Sequence, residues 1–239
     1  MFVHTKRELS MIKIAITGGI ASGKSTILKY FKELGCAVFS SDEEIGRIYA
    51  DRNFGNKIEE ILLGKGVKNV DLQEGLVKRC IKLFNKVFKI EDKNIGDLYM
   101  TDGSIDRKVV ADIIFNDSAK KRKLEMFLYQ KLQERRMDFL RRNWSRKIVA
   151  FEVPLLFEKN LQHKYDFIIS AYCSPFNQKR NFYKRCGAEN AVNRKIFCVI
   201  KNHQMPNDIK KSMSNCVICT DKSKFLIKQK AKSVITKCK

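Results

Sequence analysis

A glycine-rich stretch between an apolar run and a helical pattern constrains this chain more than any other feature. The sequence from Gly18 to Thr26 reads GGIASGKST and contains the pattern G-x-x-x-x-G-K-[ST]. Residues 12–17 before it are typical of a buried strand, and residues 27–34 after it have a helical pattern. The glycines allow a tight turn beside bare backbone N–H groups, and the following helix adds unpaired N–H donors. This order of strand, loop and helix predicts a phosphate-binding loop rather than an ordinary glycine turn.

Two side chains of this loop carry chemistry. In the motif, the lysine reaches the β- and γ-phosphates of a nucleotide, and the hydroxyl that follows it coordinates Mg²⁺. These positions are occupied here by Lys24 and Ser25. The loop therefore predicts that a nucleotide phosphate binds, but it does not identify the reaction.

An acidic segment follows the second predicted strand. Residues 36–40 form an apolar run, Gly35 before it fits a helix stop, and residues 41–44 fit the acidic first turn of a helix. Active sites of α/β proteins form at the carboxyl ends of parallel strands, so Asp42 is a catalytic candidate by its position. The alternative is that Asp42 is an ordinary N-cap or first-turn acid, and the nearby phosphate loop favours the catalytic role.

The long segment from Glu43 to Arg146 contains no pattern of a buried strand. Two helical stripes of apolar residues occupy it instead: Leu72, Leu76, Cys80, Leu83, Phe84 and Val87 in the first, and Leu124, Phe127, Leu128, Leu132, Phe139 and Leu140 in the second. These stripes predict a helical insertion between the second and third strands.

Three further strands are predicted in the rest of the chain, at residues 147–151, 166–171 and 215–219. Glu152 ends the first of them, where a carboxylate can either assist Mg²⁺ or serve a structural role. A basic helical stretch opens with Ser174-Pro175, a good N-cap and first-turn pair, and a last helix is predicted from about Lys222 to Thr236.

Together these elements predict the fold class. Five buried strands with helical crossovers form a parallel sheet with helices on both faces, which is a three-layer α/β/α arrangement. One large helical insertion and one smaller basic insertion interrupt this core. Small-molecule phosphotransferases have this layout, because one insertion holds the acceptor and the other closes over ATP.

Charge and composition narrow the function classes. The formal net charge of the 239 residues is +22, and most of it lies in residues 120–147 (11 basic, 3 acidic) and 178–239 (16 basic, 3 acidic). Attraction of anionic small substrates, nucleic-acid binding and a solvated lysine-rich surface all remain open as explanations. We expect no nucleic-acid partner, because the sequence has no aromatic-interleaved basic strand and no helix-turn-helix or zinc signature.

Other observations bear on location and metals. No apolar run has the length of a membrane span, and the first residues lack a signal-peptide core, so we expect a cytoplasmic protein without membrane contact. Cys216 and Cys219 form a C-x-x-C pair, but a second pair with zinc spacing is missing and the pair lies within a predicted strand. The oligomeric state does not follow from the sequence.

Several patches of the chain, taken in order, resemble one family. Residues 16–26 include an unusual Thr-Gly-Gly-Ile lead-in, and Asp42 lies 18 residues beyond Lys24. The hexapeptide VPLLFE at residues 153–158 and Gln-Met-Pro at 204–206 follow. Weaker matches are Phe54-Gly55, Asp102–Arg107, Ile114-Phe115, Leu124-Glu125, Gln178 and Arg185. Over residues 12 to about 220 the chain resembles the dephospho-coenzyme A kinases, which add the 3′-phosphate in the last step of coenzyme A synthesis.

The resemblance implies a reaction and its residues. ATP with Mg²⁺ would be the donor, and the ribose 3′-hydroxyl of dephospho-coenzyme A would be the acceptor. The nucleotide would be bound by Gly19, Ile20, Ala21, Ser22, Gly23, Lys24, Ser25 and Thr26, with Ser25 on the metal ion. The catalytic residues would be Asp42, Lys24, Arg185 and Arg180. The acceptor would be bound by Asp42, Arg47, Pro154, Leu155, Leu156 and Phe157.

The sequence departs from the family pattern at several of these positions. Ser40 replaces the first aspartate of the usual Asp-x-Asp, and a gapped alignment would place Glu43 in the position of the base. Arg47 lies one residue later than the family's arginine. Asn181 replaces the first lid arginine, with Arg180 beside it as a stand-in, and Tyr129-Gln130 replaces a His-Pro pair.

The sequence and the resemblance together suggest domain boundaries. Residues 1–10, which are polar and precede a second methionine at position 11, would be a disordered extension. Residues 11–42 and 147–239 would form the nucleotide-binding core, and residues 43–146 the helical acceptor domain, with residues 57–100 as an elaboration unusual for the family. Residues 174–203 would be a lid inserted in the core.

Two other functions remain open at this point. A P-loop kinase of the same architecture could act on a nucleoside monophosphate or a similar acceptor, although the VPLLFE patch argues against it. A basic nucleic-acid-binding P-loop ATPase is the alternative from another class. A decayed family member ranks below both, because the phosphate loop and Asp42 are intact.

Overall fold

The computed structural model describes residues 11–63 and 117–238, together with residues 98, 100, 104–106, 109, 110, 113 and 114 between them. The predicted disordered extension at residues 1–10 lies outside the described residues. The predicted stripe from Leu72 to Val87, and with it most of the 57–100 elaboration, also lies outside them.

Five parallel strands form a single sheet, as the sequence predicts. They are β1 (Ile12–Gly18), β2 (Ala37–Ser40), β3 (Ile148–Glu152), β4 (Phe167–Tyr172) and β5 (Cys216–Cys219), and their order across the sheet is β2-β3-β1-β4-β5. The central strand is β1, where Ile14 lies opposite Ala150 on one side and Phe167 on the other. Strands β2 and β3 lie on one side of β1, and β4 and β5 lie on the other. Ligands of open parallel sheets bind at the carboxyl end of the strands where the strand order reverses in this way, which here is at β1.

Helices connect these strands. Those among the described residues are α1 (Lys24–Glu33), α2 (Ser41–Ala50), α3 (Arg52–Leu63), α4 (Ser118–Arg142), α5 (Pro175–Cys186), α6 (Ala191–Asn202), α7 (Asn207–Ser212) and α8 (Lys224–Lys237). A short 3₁₀ turn spans Gln162–Lys164. Within the described part of the chain, no helix combines the length and the apolar character needed to cross a membrane.

Side-chain hydrogen bonds lie at two predicted boundaries that shift. The fifth strand begins at Cys216 rather than Asn215, and the Asn215 Oδ1 atom accepts a hydrogen bond from the Ile168 N–H at 2.7 Å. The last helix begins at Lys224 rather than Lys222, because Ser223 is its N-cap and accepts from the Leu226 N–H. The predicted Ser174-Pro175 start of α5 is confirmed, with Ser174 Oγ accepting from the Asn177 N–H.

The described residues form two compact units. The first contains the chain up to Phe39, Phe139–Gln178 and the residues from Gln204 onward, and it includes the sheet except for Ser40. Ile14, Ile16 and Ala150 pack on one face of the sheet against α1 and α8. Phe151 is the neighbour of Ala150 and faces the other way, where it contacts the rings of Phe39, Phe139 and Tyr165. Both faces of the sheet are therefore covered.

The second unit comprises the described residues of 40–138 and Lys179–His203. Its main core joins α2, α3 and α4 through Ile48, Ile58, Leu124 and Leu128, each with no exposed surface. The predicted stripe on α4 thus faces a core. In Lys179–His203, the aromatic rings of Phe182, Tyr183 and Phe197 form a separate cluster.

Candidate active site

The loop after β1 has the backbone conformation of a phosphate cradle. Gly18 and Gly23 have φ angles of 141° and 88°, which disfavour other residues. A Cβ atom at Gly18 would lie 2.4 Å from the Ala171 carbonyl oxygen, and one at Gly23 would lie 2.8 Å from Thr220 Cγ2. Gly23 is the N-cap of α1, and it has no side chain that could hydrogen-bond the first turn of the helix. First-turn N–H groups of a helix have no partner within the helix and can donate to an anion.

Lys24 lies at the first position of α1 with its side chain over this loop. Its residue is 8% exposed, and the Nζ atom donates to the carbonyl oxygens of Gly18 at 3.2 Å and Gly19 at 2.8 Å. The side chains of Ser25 and Thr26 are exposed at the same end of the helix. A positive charge and two hydroxyl groups thus flank the loop, which is the donor set expected for a nucleotide with its metal ion.

The ends of β4 and β5 support the loop from behind. Thr220 Oγ1 lies 2.8 Å from the Ser22 carbonyl oxygen and 3.1 Å from that of Tyr172, so its proton can serve either acceptor. Cys173 Sγ lies 3.7 Å from the Ala21 carbonyl oxygen. Burial raises the pKa of the Cys173 thiol to about 11, which keeps it neutral beside the loop.

Two glutamines hold the backbone of Ile20 in the middle of the loop. Gln178 Nε2 donates to the Ile20 carbonyl oxygen at 2.7 Å, and Gln204 Oε1 accepts from the Ile20 N–H at 2.8 Å. Both glutamines match the family pattern in the sequence, but neither is among the site residues predicted above. The sequence shows where they occur along the chain; only the fold shows that both reach one peptide unit.

The hexapeptide at residues 153–158 continues directly from β3. The Val153 N–H donates to the Ile16 carbonyl oxygen at 2.9 Å, which fixes the segment beside β1. The side chains of Leu155, Leu156 and Phe157 are buried, whereas Pro154 keeps partial exposure. The apolar residues of this motif therefore contribute to the protein interior. Glu152, which precedes it, is also buried and lies opposite Ile16.

A buried ion pair joins this hexapeptide to the chain near α7. Lys210 Nζ lies 2.8 Å from Glu158 Oε1 and donates to the Pro154 carbonyl oxygen at 3.1 Å. Glu158 Oε1 also accepts from the Met205 N–H at 2.9 Å. The two most family-specific sequence patches, VPLLFE and Gln-Met-Pro, are thus joined through Glu158, whose carboxylate also pairs with the buried Lys210. Lys210 is not among the site residues predicted from the sequence.

The acidic segment after β2 forms the first turn of α2, as the sequence predicts. Asp42 and Glu43 are exposed there, and Ser40 at the end of β2 is buried. Arg47, one turn further along, pairs with Glu44 and lies 3.9 Å from Glu43. Arg47 is therefore paired with acidic residues of its own helix. Within the described part of the chain, Asp42 takes part in no ion pair.

The two predicted lid arginines lie on α5. Arg180 and Arg185 are exposed, whereas Phe182 and Tyr183 between them are buried. The helix therefore presents these two arginines to solvent and packs Phe182 and Tyr183 against the protein, while Phe176 in its first turn is exposed. Of the predicted site residues, the loop and Pro154–Phe157 belong to the first unit, and Asp42, Arg47, Arg180 and Arg185 belong to the second.

Over the described ranges, no group of three or more His, Cys, Asp or Glu residues is arranged to hold a metal ion. Cys216 and Cys219 begin and end β5, and residues three apart in a strand point to opposite faces. A Mg²⁺ ion that arrives with ATP does not require such a cluster, because phosphate oxygens and a hydroxyl such as that of Ser25 supply ligands.

Comparison with known proteins assigns the family. Residues 65–224 match the family model described as "Dephospho-CoA kinase" (CoaE). The chain belongs to the dephospho-CoA kinase family. A dephospho-CoA kinase of Bartonella quintana is 28% identical over 224 residues, covering 93% of this chain and 95% of its own length. One from Fusobacterium nucleatum is 28% identical over 217 residues, with 88% and 90% covered.

Solved structures agree with this family fold. A protein called TT1252 from Thermus thermophilus has a TM-score of 0.65 at 21% identity, with 95% of this chain and 98% of that chain covered. A dephospho-CoA kinase from Campylobacter jejuni has a TM-score of 0.50 at 20% identity, with 95% and 96% covered. The family match confirms the resemblance to dephospho-CoA kinases seen in the sequence, and it does not favour the alternative of a kinase acting on nucleoside monophosphates.

Proposed function

We propose that this protein transfers the γ-phosphate of ATP to the ribose 3′-hydroxyl of dephospho-coenzyme A, giving coenzyme A and ADP. The observation that carries the proposal is the family match over residues 65–224, which includes the acceptor-specific hexapeptide. The conformation of the loop at residues 18–26 supports it independently, because that loop is built to bind phosphate.

The loop supplies positioning and charge for the donor. In this scheme the backbone N–H groups of residues 21–26 hold the β-phosphate. Gly19 and Ile20 form the adjoining turn of the nucleotide-binding loop, where the Ile20 N–H donates to Gln204. Lys24 neutralises charge on the transferring group. To do so, its ammonium leaves the carbonyl oxygens of Gly18 and Gly19 and donates hydrogen bonds to phosphate oxygens instead. Mg²⁺, held by the Ser25 hydroxyl and the phosphates, would supply further charge neutralisation when it is bound.

Asp42 accepts or orients the proton of the attacking hydroxyl in this proposal. Its place in the first turn after a sheet strand, and its exposure, leave the carboxylate accessible to a substrate. Glu43 is the alternative base and is equally exposed, but it lies near Arg47. That ion pair favours Asp42 as the base and leaves Glu43 a structural role on α2.

The basic helix α5 supplies arginine to the transition state. Arg185, with Arg180 as the second candidate, stabilises charge on the transferring phosphoryl group, because the planar guanidinium matches phosphate oxygens. Their exposure on a helix anchored by buried aromatic rings suits a lid that reaches its ligand on closing. In the proposal, residues 174–203 are that lid.

The acceptor occupies the helical domain at residues 43–146 in this scheme. Arg47, which pairs with Glu43 and Glu44 of its own helix, would leave these carboxylates and contact the acceptor when the acceptor binds. Residues 154–157 form the wall of the acceptor site, with Pro154 as the accessible member and Leu155, Leu156 and Phe157 as the packing behind it. Residues 11–42 and 147–239 form the nucleotide-binding core.

The reaction is proposed to take place in the cytoplasm, without nucleic acid or membrane as a partner. The seven cysteines among the described residues are free thiols, which suits a reducing compartment. The net charge of +22 serves the attraction of two polyanionic substrates in this view.

The deciding experiment measures ATP-dependent conversion of dephospho-coenzyme A to coenzyme A by purified protein. Adenosine and AMP serve as control acceptors. In the presence of ATP, we expect phosphorylation of dephospho-coenzyme A but not of adenosine or AMP. Comparable turnover with AMP would transfer the assignment to a nucleoside monophosphate kinase. A parallel salt titration of RNA and DNA binding addresses the nucleic-acid alternative, which high affinity at physiological salt with a steep salt dependence would support.

A further inference from the structure

The peptide groups on either side of Ile20 are held by side chains from two distant parts of the chain. Gln204 Oε1 lies 2.8 Å from the Ile20 nitrogen, and Gln178 Nε2 lies 2.7 Å from the Ile20 oxygen. The roles of the two amides follow from their partners, because an N–H can only donate and a carbonyl can only accept. Gln178 is 2% exposed, so its hydrogen bond is made away from water.

The geometry of a trans peptide extends each contact to a neighbouring group. The Ile20 carbonyl shares a peptide plane with the Ala21 N–H, and the two point in opposite directions. Gln178 therefore fixes the direction of the Ala21 N–H, one of the proposed phosphate donors. In the preceding peptide, the Gly19 carbonyl opposes the Ile20 N–H, so Gln204 fixes the carbonyl that accepts from Lys24 Nζ.

Packing at Gly19 supports the same arrangement independently. A Cβ atom there would lie 2.7 Å from Gln178 Nε2 and 2.7 Å from Asn207 Oδ1. The space that a side chain at position 19 would occupy is thus taken by Gln178 and Asn207. The G-x-x-x-x-G-K-[ST] pattern does not require a glycine at position 19. Contact with Gln178 explains why the residue there has no side chain.

The two glutamines also mark the ends of one inserted segment. Residues Lys179–His203 of the second unit leave the first unit after Gln178 and return to it at Gln204. Gln178 lies in the first turn of α5, and Gln204 follows the His203 C-cap of α6. Both connections of the segment are therefore anchored to the same loop residue.

We propose that Gln178 and Gln204 are positioning residues that fix the phosphate-binding conformation of residues 19–21 and tie both ends of segment 179–203 to it. They touch neither phosphate nor acceptor in this scheme; they act through the Ala21 N–H and through Lys24. The inference rests on the proposed function only in taking an adenine nucleotide phosphate as the ligand of the loop.

A matched pair of variants tests this inference, because glutamate can only accept when ionised. Gln204→Glu keeps the hydrogen bond from the Ile20 N–H, whereas Gln178→Glu loses its bond and places a carboxylate against the Ile20 carbonyl. Each variant adds one negative charge beside the same residue. The difference between them therefore isolates the hydrogen bond from the charge.

The primary measurement is the affinity for MgADP by calorimetry, without an acceptor. We expect Gln178→Glu to bind MgADP about ten- to a hundred-fold more weakly than Gln204→Glu. In turnover, the KM for ATP should rise for Gln178→Glu while the KM for dephospho-coenzyme A stays within about threefold, since the loop contacts only the donor. A general loosening of the fold would raise both KM values and lower Tm.

Equal MgADP affinities for the two variants, or parallel losses in both KM values, would overturn the inference. Should Gln178→Glu not fold, Gln178→Met and Gln204→Met replace the pair; each removes a bond without adding charge, and unchanged MgADP affinity in both would be equally decisive. Failure of the proposed function is distinguishable, because it appears as wild-type protein that binds MgADP but does not phosphorylate dephospho-coenzyme A.

Discussion

Lys210 Nζ lies 2.8 Å from Glu158 Oε1 inside the first unit, where the two side chains are 0% and 10% exposed. The same ammonium donates to the Pro154 carbonyl, and the same carboxylate oxygen accepts from Met205. The pair therefore links the segment after β3 to the segment that returns from α6. An interior charge pair therefore helps to hold these two segments of the first unit together.

Replacement of Lys210 by methionine should destabilise the fold strongly. The change leaves Glu158 buried without its cation, and the loss of one partner of a buried pair typically costs about 3–5 kcal/mol. Urea unfolding of the acceptor-free protein measures it. Lys228→Met is the matched control, because Lys228 pairs with Glu33 at the same 2.7–2.8 Å separation but in contact with water. Equal losses of stability in the two variants would contradict the interior role of Lys210.

The sheet could be predicted because its strands are short apolar runs bounded by recognisable turns. The loop after β1 could be predicted because its glycines and Lys24 stand in a fixed pattern, and the strand and helix on either side confirm the context. Asp42 could be placed on the first turn of α2 because an acidic run after a strand is typical of a helix start.

The contacts that hold the loop and the hexapeptide could not be predicted in the same way. Lys210 lies in a basic run whose lysines are expected at the surface, and its burial depends on Glu158, which is far away in the sequence. Likewise, Gln178 and Gln204 lie on either side of an insertion and meet only through Ile20. Long-range side-chain partners of this kind are set by the fold rather than by any local pattern.

Asp42→Asn should lower kcat by about 10²–10⁴-fold, because the change removes the proposed base for the hydroxyl proton of the acceptor. The KM for ATP should change little, since the phosphate loop is untouched. Glu43→Gln is the control and should retain kcat within a few-fold. A large loss of kcat in Glu43→Gln with little change in Asp42→Asn would move the base to Glu43. Steady-state kinetics with both substrates provide the measurement.

Lys24→Met should abolish most ATP-dependent transfer, by about 10²-fold or more, because the positive charge facing the transferring phosphate disappears. The side chain also holds the Gly18 and Gly19 carbonyls, so the affinity for MgADP should fall as well. Lys29→Met, on the exposed side of α1, is the control and should behave as wild type. Unchanged activity of Lys24→Met would refute the loop assignment.

Arg185→Met should lower kcat with a smaller change in either KM, because the contact proposed for Arg185 would form only as charge develops on the phosphoryl group. Arg180→Met should lower kcat less. Both residues are exposed, so neither change should alter Tm by more than about 2 °C. A greater effect of Arg180→Met would make Arg180 the principal lid arginine.

Cys173 should resist alkylation, whereas Cys198 should react readily. Burial raises the pKa of the Cys173 thiol to about 11, so roughly one molecule in a thousand carries the reactive thiolate at pH 8. The thiolate fraction rises with pH, and the labelling rate of Cys173 should therefore increase from pH 8 toward pH 10. Cys198 is exposed on α6. Iodoacetamide labelling followed by peptide mass spectrometry measures both sites, and equal labelling at pH 8 would argue against a buried Cys173.

The central place of β1 has a consequence for how the protein is made. The strand is synthesised well before both of its neighbours in the sheet, since Ile12 pairs with Ile148 and Ile14 with Phe167. At about 5–20 residues per second, the first partner of this apolar strand is synthesised roughly 7–27 s after it. During that interval β1 has no strand partner, and its backbone N–H and C=O groups and apolar side chains are exposed. We therefore expect nascent chains to depend on chaperone binding to the segment that later carries the phosphate loop.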